Sequence, residues 1–521
     1  MTLTNPSAPV RAPRSSGQAG AVKDFFAALL AARKGIAFPV LLYLLAILLP
    51  LQLSVGGLFL TSARVVLLIL VIPLLIGLFS GRYGKVNAID ILFLLHVVWM
   101  TIALAVNNPD RVVANAGSTG IEFLGGYLVG RAFIRTREDF LALINLLGLA
   151  ALCLLPFALV ELLTGNAVIL NALRQIPGVS TLRDISIGRR MGFDRVQLVF
   201  NHPIHSGLFF AVLFPLVFVG MKNVWSDARR LVTTAAILFC GFAALSAGAL
   251  LAMVMQLFLM TWAWLFRGTK KRWWIMLGVV AVLYVVVDML SDRTPLRVFL
   301  HYATFSAHTA YWRTIIFDWG MANVIGDAAR GIPPSPLFGI GLNDWIRPNY
   351  MRSGSMDNFW LVTTVRYGIP GFALLALGYA LGLWWAMRRN FDSDPVLWQF
   401  RRAWVFAFAG LSFTLTTVHV WHSIYSLVFF FFGAGIWLLT ATPETRGEAE
   451  PEPATDPARN ATPFSRFPRS HRREHPATPQ RPFSRDPESL PPHGGSARPV
   501  RQGRARDPVP RADPRRPRGS G

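Results

Sequence analysis

The chain has 521 residues, 53% of them hydrophobic and 15% charged, with a formal net charge of +23. Apolar runs of about 17–25 residues recur along it, the length that crosses roughly 30 Å of hydrocarbon. The roughly ten-residue alternating segments of a transmembrane barrel do not dominate. The positive charge sits largely in the C-terminal tail and in short turns between apolar runs, which argues for a multi-pass helical membrane protein and against a nucleic-acid-binding surface.

Residues 1–35 are polar and basic and precede an apolar run of full spanning length, so they read as a cytoplasmic segment and not as a cleavable signal. The pattern then predicts an all-α bundle of about twelve spans, at 36–53, 60–79, 88–106, 114–130, 139–162, 204–220, 230–245, 247–266, 273–290, 358–386, 402–418 and 423–440. Cys153 and Cys240 fall inside apolar runs and are expected as reduced, packed thiols. Basic residues occupy alternate connections. They are Arg82 and Lys85; Arg131, Arg135 and Arg137; Lys222, Arg229 and Arg230; Arg267, Lys270, Lys271 and Arg272; then Arg388, Arg389, Arg401 and Arg402. Under the positive-inside rule that side is cytoplasmic, with both termini inside. Residues 441–521, rich in Pro and Arg and poor in apolar side chains, are expected to be a disordered cytoplasmic tail whose deletion is tolerated.

Two long connections, 164–203 and 291–357, are left on the opposite face. Every Lys or Arg position in them is arginine: Arg174, Arg183, Arg189, Arg190 and Arg195 in the first, and Arg293, Arg297, Arg313, Arg330, Arg347 and Arg352 in the second. Guanidinium binds phosphate in a two-pronged way and stays charged. A genome that prefers arginine codons would give the same pattern, since the tail is all arginine too. Asp357-Asn358 opens the next apolar run, and Gly368-Ile369-Pro370-Gly371 should bend that helix two to three turns further in. Asp357 is either a base for a sugar hydroxyl or, with Asn358, an ordinary helix cap. Among groups inside spans, Arg366 is read as lining the mouth for a lipid phosphate or as a partner of Glu122. His202-x2-His205 reads as packing at a helix start and not as a metal pair. Trp312, Trp319, Trp345 and Trp360 are either sugar platforms or interfacial anchors.

Asp357-Asn358, nine residues, then Gly368-x-x-Gly371 resembles the His-Asn-x9-Gly-x-x-Gly pattern of the O-antigen ligase and O-antigen polymerase superfamily. Pro336-Leu337-Phe338-Gly339-Ile340-Gly341 is similar to its Pro-Leu-Phe-Gly-x-Gly segment. Arg313-x5-Trp319, Phe200-Asn201-His202-Pro203 and the Leu245–Leu250 turn stand where that superfamily has similar features, over roughly residues 60–440. The resemblance implies a GT-C-like membrane glycosyltransferase of the bacterial inner membrane, with no metal and no cofactor. It would act at the periplasmic face on a polyprenyl-pyrophosphate-linked glycan among membrane lipids, with a flippase and a chain-length regulator as candidate partners. On that footing Arg190 and Arg313 are expected as phosphate clamps and Asp357 as base. Arg189, Arg195 and Arg293 are reserves, and Asn358 and Arg366 are further substrate-binding residues. Two departures stand out. Asp357 occupies the position where ligases keep His, and Ala247 replaces an arginine in a turn that often reads Ser-Arg-Gly. The aspartate, with no obvious element for binding lipid A core, favours polymerase over ligase. A lipid-linked-oligosaccharide transporter is the alternative of another class, although no convincing internal repeat is present.

Overall fold

The computed structural model describes residues 35–55, 58–185, 188–292 and 307–443, together with positions 295 and 298. The basic N-terminal segment, Arg293 and the tail read as disordered lie outside the described residues, apart from a few residues at the inner edges of the two terminal segments.

Helix α1 (Phe38–Leu48) has a proline in its first turn, where the missing N–H leaves no gap in the ladder. It is shorter than the run at 36–53 suggests. Pro50 cannot continue the helical hydrogen bonding, and the chain turns instead into strands β1 (Leu51–Val55) and β2 (Leu58–Thr61). A short β3 (Ser180–Thr181) pairs with β1, placing Gln52 opposite both Thr61 and Ser180. The all-α expectation is therefore corrected by one small sheet, which ties the first long connection to the start of α2 (Ser62–Phe79).

After α3 (Ala88–Asn107), the single span expected at 114–130 is three pieces. These are α4 (Val112–Gly120), a π turn over Ile121–Gly125, and α5 (Gly126–Phe133). Glycine explains the last of them, because a Cβ at Gly126 would run into the Ser426 carbonyl. Close backbone approach replaces side-chain packing there. The chain continues through α6 (Arg137–Thr164), α7 (Val168–Arg174), α8 (Pro203–Phe218), α9 (Asp227–Ala243), α10 (Ala247–Leu265) and α11 (Arg272–Leu290). It ends with α12 (Ala307–Ile325), α13 (Phe359–Arg388), α14 (Pro395–Thr414) and α15 (Ser423–Gly433).

Each predicted apolar run is thus helical for most of its length. Among the described residues, six helices are long and apolar enough to cross a membrane: α2, α3, α6, α10, α11 and α13. Ile69, Ile72 and Ile76 on α2 stay exposed, as do Val280, Val282 and Leu283 on α11, which fits a membrane protein whose outer faces meet hydrocarbon and not water. The interior is aromatic. Phe93 packs edge-on against Phe123, Tyr127 and Phe429 with ring centroids 5.1, 5.0 and 5.6 Å apart. Each such pair adds about 0.5–1.5 kcal/mol beyond area burial.

Hydrogen bonds sort the connections by end. The Arg131 guanidinium donates to the carbonyls of Tyr83 (2.8 Å) and Lys85 (3.0 Å), Arg135 donates to Arg82 O (3.1 Å), and Arg137 meets Asp394 at 3.4 Å. The short basic turns therefore gather together. At the other end, Asn108 Oδ1 accepts from Leu342 N (2.7 Å) and Glu161 Oε1 from Gln197 N (2.6 Å), so both long connections pack over that opening.

Candidate functional site

The 164–203 connection is held down by Glu161. Its carboxylate accepts the backbone N–H of Gln197 and of Leu198, while Asp194 N donates to Leu162 O and Val196 N to Ala243 O. These bonds seat Arg195 beside the turn between α9 and α10, buried, with Nε 3.3 Å from Ala244 O. Arg190 reaches the same turn, its Nη1 donating to Leu245 O at 2.8 Å. Replacing Glu161 with Ala leaves two buried N–H groups without an acceptor, an expected loss of about 1–3 kcal/mol each. Thermal unfolding in detergent should show it, with Glu161→Gln retaining part of the stability.

Arg313 enters from α12, with Nη2 donating to Thr417 O at 3.0 Å and its Nε and Nη1 buried without a partner. Arg190, Arg195 and Arg313 line one cavity of about 620 Å³ with His202, Asp357 and Trp421. Among the described residues none of the three arginines pairs with a carboxylate. Burial first, and the Arg190 charge second, bring Arg195 down to about 10. Burial also lowers Arg313, with Asp357 opposing the shift and Arg190 reinforcing it. His202 falls to about 4, through burial and then Arg195 and Arg190. His419 falls to about 3, through burial and then Arg366 and His422. At neutral pH the positive charge of this cavity is therefore carried by guanidinium groups, while its histidines are neutral. Sulfate stays a dianion across this range, so its affinity should change less than about twofold between pH 5.5 and 7.5 in calorimetry. A cavity charged through histidine would instead bind tighter toward the acid side.

Helix α13 sets the other wall. Asn358 caps it, Oδ1 accepting from Leu361 N at 3.0 Å, and Phe359 N donates to Leu415 O and Val418 O. Capping thus falls to Asn358, and Asp357 stands outside the helix, exposed, accepting from Ser355 Oγ at 3.1 Å. Asp357 lines the arginine cavity and also a chamber of about 310 Å³ that contains Arg366, His419 and Trp421. The expected bend is present: Gly368 has φ 73 and ψ 178 inside α13. The Pro336–Gly341 segment straps this break, Ile369 N donating to Pro336 O (2.8 Å), Ile340 N to Val365 O (2.8 Å) and Gly341 N to Arg366 O (3.1 Å). Two motifs far apart in the chain are one structural unit.

Several expectations are corrected by this geometry. Arg189 does not join the cavity; it is exposed and pairs with Asp194 at 3.1 Å, which neutralises it. Glu122 pairs with Arg64 at 2.7 Å and not with Arg366. Trp345 is buried, its indole N–H donating to Gly354 O, and Trp319 lies under Arg330, so both are committed to the loop. Trp360 packs on Tyr379 within the bundle. The histidine pair instead follows its expectation of packing at a helix start: His202 caps α8 by accepting from Ile204 N, and His205 packs on Trp421 with ring centroids 4.1 Å apart.

Sequence reasoning passed over His419, Trp421 and His422 in the turn between α14 and α15, and Arg64 near the start of α2. Two histidines and a tryptophan within four positions between apolar runs were the available signal. Comparison with known proteins was negative: no protein-family model and no curated protein matches the chain.

Proposed function

We propose that this protein is a polysaccharide polymerase of the bacterial inner membrane, of the O-antigen or exopolysaccharide type. The basic turns lie on the cytoplasmic side with both termini, and the two long connections are periplasmic. The reading rests on one observation above the others: three arginines that have no carboxylate partner among the described residues line a cavity at whose edge Asp357 stands.

That arrangement suits transfer from a polyprenyl-pyrophosphate-linked glycan. Asp357 accepts the proton of a hydroxyl on the acceptor sugar, and that oxygen bonds to the donor's anomeric carbon. The anomeric C–O bond to phosphate breaks, and its electron pair leaves with the pyrophosphate. Arg190, Arg195 and Arg313 stabilise the charge that gathers there. Along the face of α12 and α13 runs an apolar cavity of about 680 Å³, lined by Ile316, Phe317, Trp360 and Phe372, with Arg313 and Asp357 at its polar end. A prenyl chain fits that gradient from hydrocarbon to charge.

The transporter alternative draws on the helix breaks at Ile121–Gly125 and Gly368, a device transporters use near the midplane. The polar cavities instead gather at one end of the bundle, which favours one-sided chemistry. The test is electrophoresis of surface and lipid-linked glycans from a strain lacking the protein, complemented with wild type or Asp357→Ala. Single repeat units in place of long polymer would support polymerisation. Polymer retained on its polyprenyl carrier and absent from lipid A would point to a ligase. An unchanged profile would reject both.

A further inference from the structure

A second polar cavity, of about 670 Å³, lies on the other side of the turn that carries His419, Trp421 and His422. Its walls are α2, α4, the π turn and the first half of α13. Arg64 Nε is 2.7 Å from Glu122 Oε1, and Arg64 Nη2 is 2.8 Å from His422 Nδ1. Arg366 lines the same cavity and forms no ion pair with a carboxylate among the described residues. Glu122 offsets Arg64, which leaves the Arg366 guanidinium unbalanced among the Arg and Glu side chains that line this space.

Three features make it unlike a packing defect. A buried ion pair between apolar helices adds little net stability, because desolvating both charges costs several kcal/mol. Glu122 reaches Arg64 from a π turn, a rare irregularity that is frequent at functional sites. The rim is apolar and open, with Leu68 49% and Val113 83% exposed, and Leu68 continues into the exposed Ile69, Ile72 and Ile76 face of α2. A cationic interior opening onto a hydrocarbon-facing track matches an amphiphile with an anionic head and a long apolar chain.

This cavity is also connected to the proposed chemistry. Arg366 lines both it and the 310 Å³ chamber, and Asp357 lines both that chamber and the arginine cavity. We propose that the second cavity holds the phosphate end of a second polyprenyl-phosphate-type lipid, the acceptor, so that Asp357 stands between two lipid sites. The acceptor assignment rests on the glycosyl-transfer reading; the existence of a second lipid-phosphate site does not.

Gly117 of α4 lines the cavity, and a Cβ there meets nothing within 4 Å, so a large side chain can be added without a clash at its root. The full-length protein in nanodiscs of phosphatidylcholine is titrated with a long-chain polyprenyl phosphate and followed by native mass spectrometry. Wild type is expected to bind two lipids. Gly117→Trp, with Gly117→Leu as the milder variant, should bind one, and Arg366→Gln should weaken one of the two by at least about tenfold. Arg313→Ala should lose the other, and the Gly117→Trp/Arg313→Ala pair should lose both. One lipid per wild-type protein, or two in both folded Gly117 variants, would overturn the proposal. Inorganic phosphate binding in a Gly117-sensitive way without lipid binding would overturn the lipid assignment. Two lipids with these sensitivities in a protein that transfers no glycan would leave the second site standing and remove the polymerase reading.

Discussion

An Arg313→Met variant should be at least as stable as wild type and yet lose glycan transfer by about a hundredfold or more. The two halves of this expectation come from the same atoms. Nε and Nη1 of Arg313 are buried without a hydrogen-bond partner, and only Nη2 is satisfied, by Thr417 O at 3.0 Å. An unpaired buried donor costs about 1–3 kcal/mol. Methionine has similar length, leaves no buried donor, and should return part of that energy, raising the unfolding temperature measured in detergent. Removing one preorganised donor from a developing oxyanion typically costs 10²–10³ in rate, about 2.7–4 kcal/mol of transition-state stabilisation. Arg313→Lys keeps the charge and loses the fork, so an intermediate loss of roughly tenfold is expected. A structural arginine would behave the opposite way, with Met lowering the unfolding temperature and leaving transfer rates unchanged among folded molecules. That pairing of stability with rate separates a binding role from a packing role without a bound substrate.

The helices were legible because apolar run length is a local property, and 62–79, 88–107 and 137–164 appear within two residues of their expected ends. What was not legible depended on contacts across the chain. The span expected at 36–53 ran through Pro50, which was the local signal for an early stop in α1, and only the pairing of Gln52 with Ser180 shows where the strand goes. The glycines between 117 and 130 looked like an ordinary span, because hydropathy is blind both to the π turn over Ile121–Gly125 and to the close approach of Ser426 to Gly126 that follows it. For the site, Arg190 and Arg313 were named on the family resemblance, and the fold brings them into one cavity across more than a hundred residues. Adjacent Arg189 was indistinguishable from Arg190 in sequence; its exclusion follows from where Asp194 sits. His419 and Trp421 were missed because a window wide enough to find the spans at 402–418 and 423–440 leaves only a narrow gap between them.

The second large effect is expected at Gly368, where alanine should destabilise the protein on the order of 3 kcal/mol or more and abolish polymer. Its φ of 73 with ψ of 178 lies in a region that is essentially glycine-only. A Cβ would also collide with the Leu337 carbonyl, which the Pro336–Gly341 strap holds against the break. Relief of the clash requires the strap to move, and the strap holds three backbone hydrogen bonds, from Ile369, Ile340 and Gly341, in place. The first half of α13 would then lose its lower anchor, while its upper anchor, Phe359 N to Leu415 O, persists. Asp357 and Arg366 sit at either end of that half, so a small rotation changes their relation to the arginine cavity even if the bundle survives. Gly278→Ala on α11 is the control: its Cβ meets nothing within 4 Å, and a helical Gly-to-Ala change there should stabilise by about 0.5–1 kcal/mol. Thermal unfolding in detergent and glycan electrophoresis of both variants decide the matter. If Gly368→Ala matches Gly278→Ala in both, the break is a passive kink and the placement of Asp357 has another cause. If Gly368→Ala folds but makes no polymer, the strap acts through geometry at the site and not through global stability.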